Sequence, residues 1–198
     1  QYGGVTALQQ SCQPIGKLLI QGAVNPMGVE VIAAFNAVNR VDSYAFTPEQ
    51  SIANGITTFV AQNAGAKKED RIKKGFRSGL MLEFVYWIFI CVVTMVFREP
   101  IMRLFVTGQN KEIVALGSGY LGFMALFYLF PGFTNGFQGY FRGRKCMKMT
   151  LLGTFIQTSL RVVFVYILTP HMGLNGVAVA CAIGWSMMLL VEIPYYFY

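Results

Sequence analysis

The chain has 198 residues, 55% of them hydrophobic and only 13% charged, with a formal net charge of +7. Soluble domains carry about 25% charged residues, so this composition excludes an ordinary globular domain and describes an integral membrane chain whose surplus apolar surface faces lipid. The positive charge does not point to nucleic acid, because most of it sits in short links between apolar spans, where it sets orientation.

A transmembrane helix needs ~20 apolar residues to cross ~30 Å of hydrocarbon. Six segments approach that standard. The first, 5–24, is closed by Asn25-Pro26-Met27-Gly28. The second, 30–62, is long and broken by Pro48. The third, 76–97, contains LMLEFVYWIFICVVTMVF and is the clearest. The fourth, 113–140, carries Pro131-Gly132 inside it, the fifth, 149–169, ends at Thr169-Pro170, and the sixth spans 174–197. Backbone groups in lipid must be satisfied internally, so the expected fold is all-α: one six-helix transmembrane bundle over 1–198. Strict two-residue alternation is missing, which argues against a β-barrel.

The links orient the bundle. Between the second and third segments, Lys67, Lys68, Arg71, Lys73, Lys74 and Arg77 fall within eleven positions. Between the fourth and fifth lie Arg142, Arg144, Lys145 and Lys148, whereas the link after the third holds only Arg98, Arg103 and Lys111. Ten basic residues against three place the first two links, and both termini of this segment, in the cytoplasm. Residues 98–112 read as an outer link with a short helix or re-entrant piece around Ile101–Phe105.

Polar residues inside spans are costly and mark cavities or pathways. The second segment carries Asn36, Asn39, Arg40, Ser43, Thr47, Gln50, Ser51, Asn54, Thr58 and Gln62 at three- and four-residue steps, which is one helical face. Such a stripe faces either neighbouring helices, as hydrogen-bonding glue, or a watery cavity; its length and Arg40 favour the cavity. Asp42 and Glu49 flank it and are expected to neutralise Arg40. The first segment has Gln10, Gln13, Lys17 and Gln21 on one face, and the fifth has Thr154, Gln157, Thr158 and Arg161. Three polar faces can converge on one cleft. Glu83 and Glu192 read as interfacial residues near helix ends. Gly75 and Gly79, with Gly132, Gly136, Gly139 and Gly143, read as close helix contacts.

The cysteines, Cys12, Cys91, Cys146 and Cys181, have no metal spacing, and His171 stands alone, so no metal site is expected. No GxSxG, HExxH or P-loop sequence is present, which speaks against an enzyme and against ATP-driven transport by this chain. The chain opens without Met and shows no signal peptide, and it reads as a fragment of something longer.

In order and spacing, several pieces resemble the C-terminal half of the MATE family of multidrug and toxin extrusion transporters. They are Asn25-Pro26-Met27-Gly28, Ile32-Ala33-Ala34-Phe35-Asn36, Pro48, Gln62-Asn63-Ala64-Gly65-Ala66-Lys67-Lys68, Met102-Arg103-Leu104-Phe105, Gly119-Tyr120-Leu121, Arg142-Gly143 and Gly173-Leu174-Asn175-Gly176-Val177-Ala178. The resemblance implies twelve helices in two six-helix lobes, in a plasma-membrane antiporter that exchanges amphipathic, often cationic compounds for Na⁺ or H⁺. In the NorM branch it implies a cation site of a Glu, an Asp and a Tyr. Counting along this sequence puts Gln13, Pro131 and Phe127 at those places, so no such site is expected here. The chain then looks closer to the DinF branch, with the coupling Na⁺ or H⁺ and its carboxylates in the N-terminal lobe. The expected partners are that lobe, membrane lipids and an amphipathic small molecule. The expected substrate-facing residues are Gln13, Lys17, Asn36, Asn39, Arg40, Ser43, Gln157 and Arg161. Two alternatives remain: a flippase for lipid-linked precursors, favoured by Lys17, Arg40 and Arg161, and a non-transporting membrane scaffold.

Overall fold

A computed structural model describes residues 2–106 and 110–198. The described residues form seven α-helices and one short 3₁₀ turn: α1 (Tyr2–Val24), the turn Asn25–Met27, α2 (Val29–Gly65), α3 (Glu69–Phe105), α4 (Lys111–Phe127), α5 (Leu129–Gly143), α6 (Met147–Met172) and α7 (Leu174–Phe197). By length and composition, α3, α6 and α7 can each cross a membrane, with mean hydropathies of 2.3, 1.7 and 1.9 over their best windows. α4 and α5 together make a fourth, bent span. α1 and α2 fall below that test because their polar faces dilute the apolar ones.

Three boundaries differ from the sequence reading. Pro48 does not break α2, which runs unbroken through it. α3 is a single helix from Glu69 to Phe105, so the expected outer helix at Ile101–Phe105 is its continuation past a kink at Phe97 (φ −106°, ψ 16°). Pro100 follows three residues later; its ring disfavours a regular turn there. Residues 107–109 of the expected outer link lie outside the described residues. The fourth segment is two helices bent by 44°. The break falls at Tyr128, one turn before Pro131, where the missing proline N–H and the ring leave the Phe127 carbonyl without its helical partner.

The packing follows from residue size. α5 lies so close on α2 that a Cβ placed on Gly139 would stand 2.5 Å from the Ala53 carbonyl oxygen, and one on Gly143 would stand 2.8 Å from that of Thr57. α3 packs on α2 and α5 together: Gly75 and Gly79 seat Phe59 and Ile56 of α2, and Leu80 meets Gly136 of α5. α6 pairs with α7 and α1. One apolar core, with Val38, Leu121, Tyr128 and Val177, fills the half of the bundle near the α3–α4 link; a second, with Ile72, Phe76, Phe137 and Phe141, fills the half near the basic hairpin. Phe76 stacks there on Tyr140 at 4.8 Å and on Tyr196 at 5.1 Å.

The two basic links share one design. Lys68 N–H donates to the Asn63 carbonyl and Lys67 N–H to that of Ala64; Cys146 and Lys145 repeat the pattern onto Phe141 and Arg142. This is the two-bond helix stop, closed here by lysines at φ 55° and 62°. Arg144 donates to Glu69 at 2.7 Å, joining the two links, and that bond raises the guanidinium's affinity for its proton.

The lipid-facing surface is explicit. Met81, Val85, Phe89, Val92 and Val96 of α3 are all exposed, as are Phe155 and Ile167 of α6 and Leu190 of α7. The opposite face, formed by α1, α2 and α6, is polar.

Candidate functional site

The polar face is a cleft with two adjoining chambers. The one on the side of the α3–α4 link, called the outer chamber for the orientation expected from the sequence, is about 710 Å³ and lies between α1, α2, α4, α6 and α7. The inner one, about 830 Å³, lies between α1, α2, α5, α6 and α7 and reaches Arg142 near the basic links. They share Lys17, Ser43, Phe46, Arg161 and Trp185 as common walls.

All eight residues singled out from the sequence line this cleft. Asn36, Asn39 and Arg40 belong to the outer chamber, Gln13 and Gln157 to the inner, and Lys17, Ser43 and Arg161 to both. The α2 stripe reaches the cleft for a local reason. The hydroxyls of Ser43, Thr47, Ser51 and Thr58 each donate to the carbonyl four residues back on their own helix. They therefore satisfy themselves without a neighbouring helix, and all four are exposed in this lobe. Gln50 is the stripe residue that does reach across, donating to Asn135 of α5 at 3.2 Å. The Gln10 side chain lies outside the described residues.

Four carboxylates behave otherwise than the sequence suggests. Asp42 does not neutralise Arg40: it is buried and accepts a 2.5 Å hydrogen bond from the Tyr128 hydroxyl, at the α4–α5 bend. Glu49 turns away from the stripe into the α2–α3–α5 interface. Glu83 is not interfacial but 1% exposed, as is Glu49, and both reach the same spot beside Gly132. None of their four carboxyl oxygens has a hydrogen bond of ordinary geometry, although Asn135 lies alongside Glu49. Glu192, also expected at an interface, is 0% exposed. It accepts from Gln138 Nε2 at 2.6 Å; Gln138 in turn accepts from Gln9, which also donates to Thr154. This chain of polar groups ties α1, α5, α6 and α7 together under the inner chamber.

Sequence reasoning missed Gln138, Arg142 and the aromatic wall. Arg142 reads in the sequence as a link charge and part of the Arg142-Gly143 motif, yet it lines the inner chamber. Phe46 and Trp185 meet edge-on at 6.3 Å and offer an apolar surface between the chambers. Their hydrophobicity hid them among lipid-facing neighbours. Of the three positions counted against a NorM-type cation site, Gln13 and Pro131 share the inner chamber, while Phe127 lies outside both. Among the described residues, no three His, Cys, Asp or Glu side chains form a metal-holding group.

A half-bundle with a lipid-facing back and a polar, open front is one lobe of a membrane transporter fold. Two solved structures carry that fold over nearly the whole chain. One, an outward-facing conformation of a multidrug resistance MATE family transporter of the MOP superfamily, superimposes with a TM-score of 0.89 at 19% identity over 96% of this chain and 42% of that one. An inward-facing conformation of a transporter so described gives 0.86 at 18% identity over 96% and 45%. The MatE family model matches residues 6–167, and the chain belongs to that family. It is also similar to the probable multidrug resistance protein YpnP of Bacillus subtilis (strain 168), with 27% identity over 92% of this chain. The chain spans 41% of that relative's length.

Proposed function

We propose that this chain is the C-terminal lobe of a secondary active exporter of amphipathic small molecules in the plasma membrane, driven by Na⁺ or H⁺ and working by alternating access. One observation carries the reading: three helices turn their polar faces onto one open, two-chambered cleft to which the apolar α3 contributes no described residue. Parallel lobes with a site between them are a transporter plan, and the similar structures described as outward- and inward-facing are what a rocking pair of lobes would give. The partner is an N-terminal six-helix lobe, and the coupling ion is assigned there, as in the DinF branch. With Gln13 and Pro131 in the inner chamber, no carboxylate among the described residues lines that chamber. The basic links face the cytoplasm. A scaffold would bury the α2 stripe as glue; here the stripe is open.

Replacing Asn36 and Arg40 together with Ala in the full-length transporter lowers drug efflux about tenfold, the equivalent of ~1.4 kcal/mol, at unchanged membrane abundance. Wild-type efflux in that double variant would remove the cleft from the transport path.

A further inference from the structure

Buried hydrogen-bond donors that nothing among the described residues satisfies border the cleft. Arg161 of α6 is 8% exposed, and its Nε and Nη2 have no partner. One helical turn earlier, Gln157 is 1% exposed and its Nε2 is likewise unpartnered, while its oxygen already accepts from Thr158. Space for the guanidinium is built into the neighbouring helices. A Cβ on Gly16 of α1 would lie 3.1 Å from Arg161 Nη2, and one on Gly184 of α7 would lie 3.3 Å from Arg161 Cβ. The Cys181 thiol alongside is too weak an acceptor to answer a full charge.

The charge around these donors has one sign. Among the described residues Lys17, Arg40, Arg142 and Arg161 line the two chambers, against the single carboxylate of Asp42, which Tyr128 already engages. Neither described ion pair involves any of them. A guanidinium stays charged at any working pH, and burying it unpaired is costly. A planar fork with free donors matches a carboxylate, sulfonate or phosphate. Phe46 and Trp185 flank the same place.

We propose that Gln157, Arg161 and Lys17 form an anion-binding point where the two chambers meet, and that its ligand is an amphipathic organic anion: the anionic group seats on these side chains and the apolar body lies along Phe46 and Trp185. The proposal rests on the cleft being the transport site, and it departs from the cationic cargo that the family resemblance implies.

The test is calorimetric binding to the purified full-length transporter in zwitterionic nanodiscs. The probes are naphthalene-2-sulfonate, the like-sized cation N-methylquinolinium, and inorganic phosphate. Wild type binds the sulfonate in preference to the other two. Arg161→Gln weakens sulfonate binding at least tenfold, Arg161→Lys restores part of it, and Lys17→Gln and Gln157→Leu each weaken it several-fold. The proposal is overturned by preference for the cation, by no sulfonate binding at millimolar concentration, or by sulfonate affinity in Arg161→Gln equal to wild type; the last would mean that a carboxylate of the other lobe is the true partner. Phosphate binding as tight as sulfonate would overturn the amphipathic ligand and leave a free-anion site. Should Arg161→Gln fail to elute as a monodisperse peak, unchanged affinity in both Lys17→Gln and Gln157→Leu overturns the proposal. Lost export with Arg161-dependent sulfonate binding intact would sink the exporter reading and leave the anion site standing.

Discussion

Among the individual residues, the buried carboxylates show how much a single partner matters. Glu192 is wholly buried and held by Gln138 at 2.6 Å, with its other oxygen unpaired. Removing the donor leaves a buried polar group unanswered, at ~1–3 kcal/mol. Gln138→Leu should therefore lower the melting temperature of the purified transporter clearly. Glu192→Gln, which keeps the shape and one acceptor, should change it little; equal losses in the two variants would show that packing, not the hydrogen bond, holds the site. None of this was legible in the sequence. Glu192 and Gln138 are 54 positions apart, and a Glu near the end of an apolar helix looks like an interfacial anchor. The α2 stripe was legible because its polar residues repeat at the helical period, and because Ser and Thr bond to their own helix and leave the face open. Arg161 could be placed on the cleft from its spacing to Gln157. That its donors are orphaned depends on α1 and α7, which the α6 sequence does not encode.

Among the helices, two features decide the lobe's shape: glycine-mediated contact between α2 and α5, and the bend between α4 and α5. The glycines could be read from their spacing, yet they are not equivalent in space. The Gly139 position faces a backbone carbonyl, fixed by its own helix, whereas Gly119 has nothing within 4 Å of its would-be Cβ. Gly139→Ala must push α2 and α5 apart, and overpacking of this kind costs ~1–3 kcal/mol. Gly119→Ala gains up to ~1 kcal/mol through helix propensity. Melting of the two variants should shift in opposite directions; a neutral Gly139→Ala would mean that the helices are less tightly apposed. The bend was only half legible. Pro131 announced a disturbance inside the fourth segment, but a proline perturbs the turn before it, so the break lands at Tyr128. That location has a consequence: it aims the Tyr128 hydroxyl at Asp42, a pairing that no reading of α2 alone could supply.

For the molecule as a whole, the lobe is a two-faced object, and its faces fix how it must sit. The α3 flank, with Met81, Phe89 and Val96 exposed, belongs in hydrocarbon. The α1–α2–α6 front, with Lys17 and Arg40 exposed, does not. Rotation about the membrane normal is thereby settled by apolar area. The links at the Lys67–Arg77 end carry most of the Lys and Arg, which predicts that this end faces inward. The tight lysine-closed stops keep those charges on short, hydrogen-bonded links next to the helix ends. Orientation can be read by labelling, after replacing the four free cysteines Cys12, Cys91, Cys146 and Cys181 with alanine. A cysteine introduced at exposed Lys68 should react with a membrane-impermeant maleimide only in inside-out vesicles. One at exposed Asn110, at the opposite end, should react only in intact cells. Reversed labelling would invert the lobe and with it the chambers, placing the larger one, with Arg142, on the outside. Labelling of both from one side would contradict an odd number of crossings between residues 68 and 110, where α3 supplies the single span.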